Sequence, residues 1–218
     1  MPVSAPTAET TAPRPLLRGV FHAVAAVGGI VLLVLLADSA SEYVGGAVFA
    51  SSLALLYATS AAYHRITWKP RLRGVMKRLD HSMIFVLIAG TYTPFCLAVL
   101  DTAWGISMLS VVWGLAGAGV AMKLVWPNAP RWLSVLLYLA VGWLALVATT
   151  ELLAWFTLVP LALLLLGGLM YTLGGIVYAA GRPNPFPRVF GYHEVFHALV
   201  IAGSVLHFAL VALYVVPA

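Results

Sequence analysis

The sequence has 218 residues, of which 62% are hydrophobic and only 9% are charged, and its formal net charge is +5. Soluble domains carry about 25% charged residues, so this composition excludes an ordinary water-soluble fold. The length suits one helical bundle, and the single cysteine, Cys96, excludes an intrachain disulfide.

The chain opens on a segment rich in Ala, Pro and Thr. We predict a disordered tail over residues 1–14 and one transmembrane domain over residues 15–218. A cleavable signal peptide is the alternative, with Arg14 and Arg18 as its basic region. The apolar run that follows reaches Ala37 and is long enough to span a bilayer, so we favour a first transmembrane helix.

Seven apolar runs cover most of the domain, and each approaches the roughly 20 residues that a helix needs to cross the hydrocarbon core. They predict an all-α fold, a bundle of seven transmembrane helices. Pro94 falls inside the third run and is expected to kink it. The predicted spans are residues 17–37, 44–64, 81–100, 103–122, 132–150, 156–179 and 195–217.

All 12 Lys and Arg residues fall on one side of this predicted bundle, while the opposite loops contain only acidic charges. By the positive-inside rule, the N-terminus is cytoplasmic and the C-terminus is outside. Topology therefore accounts for the net positive charge, and we expect no nucleic-acid partner. The basic residues of 65–78 suit the anionic headgroups of membrane lipids instead.

Histidines and carboxylates concentrate where spans two, three and seven meet the cytoplasmic face. An ionisable group inside a span costs about 2.5–3.5 kcal/mol, so such groups usually face the bundle interior and serve a function. The predicted topology brings these residues to one membrane depth. They are Ser60, His64, Asp80, His81, His193, Glu194 and His197.

The histidine spacing is typical of a metal site. His193 and His197 are four residues apart, so both imidazoles can lie on one helix face and reach one cation. His64 from span two would complete a three-histidine site with an open fourth position, as in catalytic zinc sites. These ligands suit Zn²⁺, although spacing alone does not exclude another transition metal. The alternative, histidines that only bond to carbonyls at the interface, explains their shared depth less well.

Two further histidines and one motif have competing interpretations. His22 is solitary and is predicted to be structural. His207 lies about 15 Å along the helix from His197, too far to share its ion. Residues 193–197 match the H-E-x-x-H pattern of zinc proteases, in which the Glu is a general base. No further ligand follows at a protease spacing, so a protease is a minor alternative, and Glu194 could support a ligand or face the loop.

Four stretches are specific enough to suggest a family: Ser60–His64, Leu79–Ser82, Ala89–Phe95 and His193–His197. Together they resemble the progestin and adipoQ receptor family, most closely its bacterial branch, hemolysin III, from about residue 15 to the C-terminus. The resemblance implies a seven-helix fold with a cytoplasmic N-terminus. The animal receptors carry long N-terminal regions and this chain has a short tail, so hormone-receptor function is not carried over.

The same resemblance implies roles for individual residues. It implies that His64, His193 and His197 bind zinc, that Asp80 orients a water at the zinc, and that Ser60 lies beside the site. The animal receptors and the related alkaline ceramidases suggest a ceramide-like amide as substrate.

Three functions are compatible with these features. The leading hypothesis is a zinc-dependent hydrolase of a membrane lipid amide or ester, with Asp80 as proton acceptor and Ser60 beside the developing oxyanion. The second is a non-enzymatic regulator or sensor of membrane lipid state, in which zinc is a structural clamp. The third is a hemolysin-like pore-former, although a pore would need a polar stripe along several spans.

Overall fold

A computed structural model describes residues 19–27 and 44–215, and every regular element in these two ranges is helical. The predicted all-α fold is therefore confirmed for this part of the chain. The predicted tail and most of the first span lie outside the described residues. The described part of that span, residues 20–27, is helical and is called α1.

Six helices in the described part are long and apolar enough to cross a membrane, which makes the chain a multi-pass protein of the cell membrane. The count of seven spans and the orientation of the termini stay predictions. The helices are α2 (Val44–Arg65), α3 (Pro70–Ala98), α4 (Thr102–Val125), α5 (Arg131–Gly142), α6 (Thr149–Trp155), α7 (Leu158–Ala180) and α8 (Tyr192–Leu210), which continues as a π-helical turn (Val211–Val215). The helices α5 and α6 belong to one span, Arg131–Trp155.

The helix α3 begins at Pro70, well before the predicted start of span three at residue 81. Proline suits a first helical position because its missing N–H would have no partner there. Hydropathy places residues 70–80 in a loop because five of them are charged. Asp80 and His81 therefore lie about three turns inside α3 rather than at its beginning.

The span that contains α5 and α6 changes to a 3₁₀-helix over Trp143–Ala148. This change frees backbone groups that lipid cannot satisfy. Tyr92 of α3 supplies the partner, because its hydroxyl donates to the Gly142 carbonyl at 2.7 Å and accepts from the Ala145 N–H at 2.7 Å. A single buried phenol thus makes an irregular span tolerable.

Ten of the twelve basic residues lie at one end of the bundle, where α2, α4 and α7 end and α3, α5 and α8 begin. We call this the basic end; Arg14 and Arg18 lie outside the described residues. At this end the Lys77 ammonium of α3 donates to the side-chain oxygen of Asn128, in the loop between α4 and α5. The predicted one-sided distribution of charge is confirmed for the described residues.

The central helix of the bundle is α3, which packs along both α2 and α4, while α7 packs along α8. In the most apolar stretch of α3, 61% of the residues are buried, whereas the corresponding value for α7 is 17%. Large apolar side chains such as Leu158, 80% exposed, cover the outer surface. Such a surface suits lipid, as expected of a bundle whose polar groups face inward.

Close packing of α2 against α3 depends on Gly90. A Cβ placed on this glycine would approach the Ser52 Cβ to 2.6 Å, a distance that real Cβ atoms do not adopt. Small residues at such contacts let membrane helices approach closely.

We expect Gly90→Ala to destabilise the protein by about 1–3 kcal/mol, because the added methyl group overpacks the contact between α2 and α3. Thermal unfolding in detergent measures the effect. Gly114→Ala is the matched control, since a Cβ at Gly114 meets no atom within 4 Å. Equal unfolding temperatures for the two variants would contradict this account.

Candidate metal centre

Three histidines meet at the basic end of the bundle. His64 lies in the last turn of α2, and His193 and His197 lie in the first two turns of α8. The Nε2 atoms of His64 and His193 are 3.2 Å apart, and one ligand nitrogen from each of the three rings lies within 4.8 Å of the other two. The predicted convergence of two helices distant in sequence is thus present.

The donor set fits a transition metal. Zinc binds imidazole nitrogen at about 2.0–2.1 Å in a tetrahedral arrangement, which separates neighbouring ligand nitrogens by roughly 3.3 Å. The spacing between His64 and His193 already matches this value, and all three donors are imidazoles. His64, His193 and His197 can therefore hold one metal ion, and a small closure of His197 would complete the set.

Asp80 and Ser60 lie beside the histidines. The Asp80 side chain is buried, and its Oδ2 is 3.8 Å from His64 Nε2. Ser60 is 1% exposed, one turn before His64 on α2, and its side chain interacts with Asp80. The structure brings all five predicted site residues together, while their roles stay predictions.

His22 also belongs to this cluster, so its description as solitary was wrong. Its Nδ1 is 2.6 Å from Ser60 Oγ, and its ring stacks on His197 with centroids 3.7 Å apart and planes 13° apart. His22 is 3% exposed. The signal was available, because the predicted topology puts His22 near the same membrane depth as Ser60. What the sequence could not show is that α1 packs between α2 and α8.

Glu194 has a structural position. Its Oε2 accepts a hydrogen bond from the Gly191 N–H at 2.9 Å, which caps the beginning of α8. The side chain is fully buried. A carboxylate that caps its own helix is poorly placed to be the general base of an H-E-x-x-H protease, so the geometry disfavours that alternative.

His81 and His207 lie outside the group of three. The His81 carbonyl accepts a hydrogen bond from the Tyr138 hydroxyl, and its side chain lines the cavity described below. His207 Nε2 is 3.1 Å from the Leu164 carbonyl oxygen and packs against Tyr171, as a structural histidine would.

A cavity of about 960 Å³ begins at the basic end and extends into the bundle. The histidine cluster, Asp80 and Ser60 lie in its wall. Beyond them the lining is mainly apolar, with contributions from Leu56, Leu87, Leu152, Leu161, Leu164 and Val200. A large apolar cavity with a few convergent polar groups is the usual form of a small-molecule site.

Fold and site together define a multi-pass membrane protein with a three-histidine cluster at one end of its helical bundle. Comparison with known proteins identifies the family. The family described as Haemolysin-III related matches residues 10–208, and the chain belongs to it.

Individual relatives agree with this assignment. The chain is 36% identical over 193 residues to the Hemolysin-3 homolog of Bacillus subtilis (strain 168), a match that covers 87% of each protein. It is 34% identical over 206 residues to Hemolysin-3 of Bacillus cereus, covering 92% of this chain and 91% of the relative. A more distant relative is the human Monocyte to macrophage differentiation factor, 24% identical over 86% of this chain and 77% of that protein.

We expect the purified wild-type protein to hold about one zinc ion per chain and His193→Ala to lose most of it, because two imidazoles bind zinc far more weakly than three. Metal analysis after zinc loading and desalting measures both. His207→Gln is the control, because it removes an imidazole from the same helix outside the cluster. A wild type without bound metal would refute the metal centre.

We expect His22→Ala to weaken zinc binding by about tenfold, as loss of a ligand's supporting partner often does, because the His197 ring loses the ring stacked on it. His22→Phe keeps a stacked ring and should bind zinc almost as the wild type does. Competition with a chromogenic chelator measures the affinities. Unchanged affinity in His22→Ala would show that the stack does not position His197.

Proposed function

We propose that the protein is a zinc-dependent hydrolase of a membrane lipid amide or ester. The observation that supports this most strongly is the arrangement of Asp80 and three histidines in the wall of a large apolar cavity. His64, His193 and His197 would hold the zinc ion. The positive-inside rule would put this end of the bundle at the cytoplasmic surface.

Each polar side chain of the cluster has a role in this proposal. When bound, zinc supplies a Lewis acid that activates water at neutral pH and polarises a carbonyl group. Asp80, beside His64, accepts the proton of the attacking water and returns it to the leaving oxygen or nitrogen. The water oxygen joins the acyl carbon, the acyl C–O or C–N bond breaks, and no oxidant or reductant is needed.

The contact between His22 and Ser60 supports a role for Ser60 as a donor. With a proton on Nδ1, His22 donates to Ser60 Oγ, and the Ser60 hydroxyl keeps its own hydrogen to donate. It could donate to Asp80 in the resting protein and to the substrate carbonyl oxygen during the reaction, where charge develops.

The apolar part of the cavity supports a lipid rather than a water-soluble substrate. Leucine and valine side chains line it beyond the cluster, so an acyl chain could extend from the metal centre toward the middle of the bundle. The outer surface faces lipid, and a substrate could enter laterally between helices.

The alternative is a non-enzymatic regulator in which zinc only ties α2 to α8. The histidines alone are compatible with this regulator, because His64 of α2 and His193 of α8 approach each other to 3.2 Å. Direct ligation by Asp80 would close the fourth position and favour a clamp. The close group consists of the three histidines without Asp80, which supports the hydrolase instead. Cytolysis, which the names of the Bacillus relatives suggest, is a third possibility.

We expect Asp80→Asn to keep its zinc and to lose lipid hydrolysis by about 100-fold or more, because the amide cannot accept a proton. Release of fatty acid from mixed membrane lipids, with zinc content measured on the same sample, tests this. Asp101→Asn is a control, since Asp101 caps the beginning of α4 at the end of the bundle opposite the basic end. A fully zinc-loaded wild type that hydrolyses no membrane lipid would refute the proposal.

A further inference from the structure

The same cavity has a second polar region, at the basic end of the bundle. Four cationic side chains from three helices line it: Arg73 and Lys77 of α3, Lys123 of α4 and Arg131 of α5. We call these four residues the cationic mouth. None of them belongs to the metal centre, and none has a part in the hydrolysis described above.

Lys123 is the most informative member, because it is only 2% exposed. Its ammonium donates to Ser134 Oγ and lies 5.8 Å from the centre of the Tyr138 ring. Burying an ammonium within a span is costly unless an opposite charge compensates for it. Among the described residues that line the cavity, the only carboxylate is that of Asp80, which lies beside His64.

The other cations are held around the same space. Lys77 and Arg131 line the same cavity as Lys123, and so does the His81 side chain. The Arg131 guanidinium lies 5.7 Å from the Tyr178 ring and 5.6 Å from the Tyr192 ring, and these contacts orient it. Like charges gathered around a cavity repel one another, and a bound anion would relieve that repulsion.

We propose that the cationic mouth binds the phosphate headgroup of an anionic acyl lipid, whose acyl group then reaches the metal centre. This inference rests on the proposed function and names its substrate class, a phospholipid that is deacylated. Lys and Arg are the side chains that recognise phosphate in proteins.

The spacing along α3 supports this assignment. Lys77 and Arg73 precede Asp80 by three and seven residues, which is about 4.5 and 10.5 Å along the helix axis. In a glycerophospholipid only a few bonds separate the phosphate from the ester carbonyl groups. A headgroup at Lys77 and Lys123 would therefore place an ester near Asp80 and the histidines.

Along α3, the cavity lining passes from Arg73 and Lys77 through Asp80 to the apolar side chains of Ile84 and Leu87. A phospholipid of the adjacent leaflet has the same order of headgroup, ester and chain. In the reaction, the water oxygen bonds to the acyl carbon, the acyl C–O bond breaks, and the alcohol oxygen takes a proton. The products are a fatty acid and a lysophospholipid.

The test compares lipids that differ only in headgroup. Zinc-loaded full-length protein in detergent is titrated with dihexanoyl phosphatidylglycerol, dihexanoyl phosphatidylcholine and inorganic phosphate, and binding and fatty acid release are both measured. We expect the wild type to bind the phosphatidylglycerol about tenfold more tightly than the phosphatidylcholine, as expected for a charge-assisted contact in a buried site.

Substitutions in the cationic mouth test which side chains cause the preference for phosphatidylglycerol. Lys123→Met, of similar length without charge, should lower the affinity for phosphatidylglycerol about tenfold. The affinity for phosphatidylcholine should fall by less, because its choline ammonium already offsets the charge of its phosphate. Lys77→Gln should also lower the affinity for phosphatidylglycerol. It tests the phosphate site if Lys123→Met does not fold. Lys69→Met is the matched control, because Lys69 is exposed on the same end of the bundle outside the cavity lining.

Several results would overturn the inference. They are equal affinities of the wild type for the two lipids, an equal loss in Lys69→Met, or inorganic phosphate binding as tightly as the lipid, which would indicate a free phosphate ligand. Hydrolysis without headgroup preference would overturn the inference and leave the proposed function standing. A headgroup preference that depends on Lys123 without any hydrolysis would support the phosphate site and refute the hydrolase.

Discussion

The approach of His64 to His193 is the contact on which the rest of the site depends. It joins the end of α2 to the beginning of α8, residues 129 positions apart, through two ring nitrogens 3.2 Å apart. Two imidazoles at this distance either share one proton in a hydrogen bond or share one cation. Both interactions require the end of α2 and the beginning of α8 to lie at the same membrane depth. Either interaction also holds the two helix ends at that depth.

A glycine before α1 makes this approach possible. Gly19, just before α1, has a positive φ of 75°, and a Cβ there would come within 2.7 Å of the His64 Cβ. A larger residue would be strained in this conformation and would displace His64. The same close approach carries α1 into the groove where His22 meets Ser60 and stacks on His197. The histidine cluster is therefore formed by three helices in contact, α1, α2 and α8, and α3 supplies the carboxylate beside it.

Hydropathy and charge predicted most of the fold because a bilayer imposes few alternatives. A span of about 20 apolar residues must be helical, and basic residues settle on one side. Those two rules were enough to bring His64, Asp80, His193 and His197 to one depth. They were wrong about the beginning of α3, because its first three turns contain four Arg and Lys residues and so have the hydropathy of a loop.

What the sequence could not supply were contacts between helices. His22 looked solitary because no other histidine or carboxylate lies near it in sequence, while its partners, Ser60 and His197, lie on other helices. The 3₁₀ segment of Trp143–Ala148 was equally invisible, since the residue that satisfies its backbone is Tyr92 on α3. Both errors concern pairings that only the assembled bundle defines.

The five residues His193–His197 show why spacing must be interpreted together with its surroundings. Two histidines one turn apart can share an ion on any helix, whatever stands between them. Glu194 lies about 100° around the helix from His193, and in this chain its carboxylate turns back to the Gly191 N–H. Asp80, which comes from α3, places its Oδ2 3.8 Å from His64 Nε2. A soluble protease takes its base from the motif itself, whereas here the carboxylate beside the histidines comes from another helix. The site is therefore assembled by the bundle as a whole, and the H-E-x-x-H pattern in α8 contributes two histidines of the cluster and a helix cap.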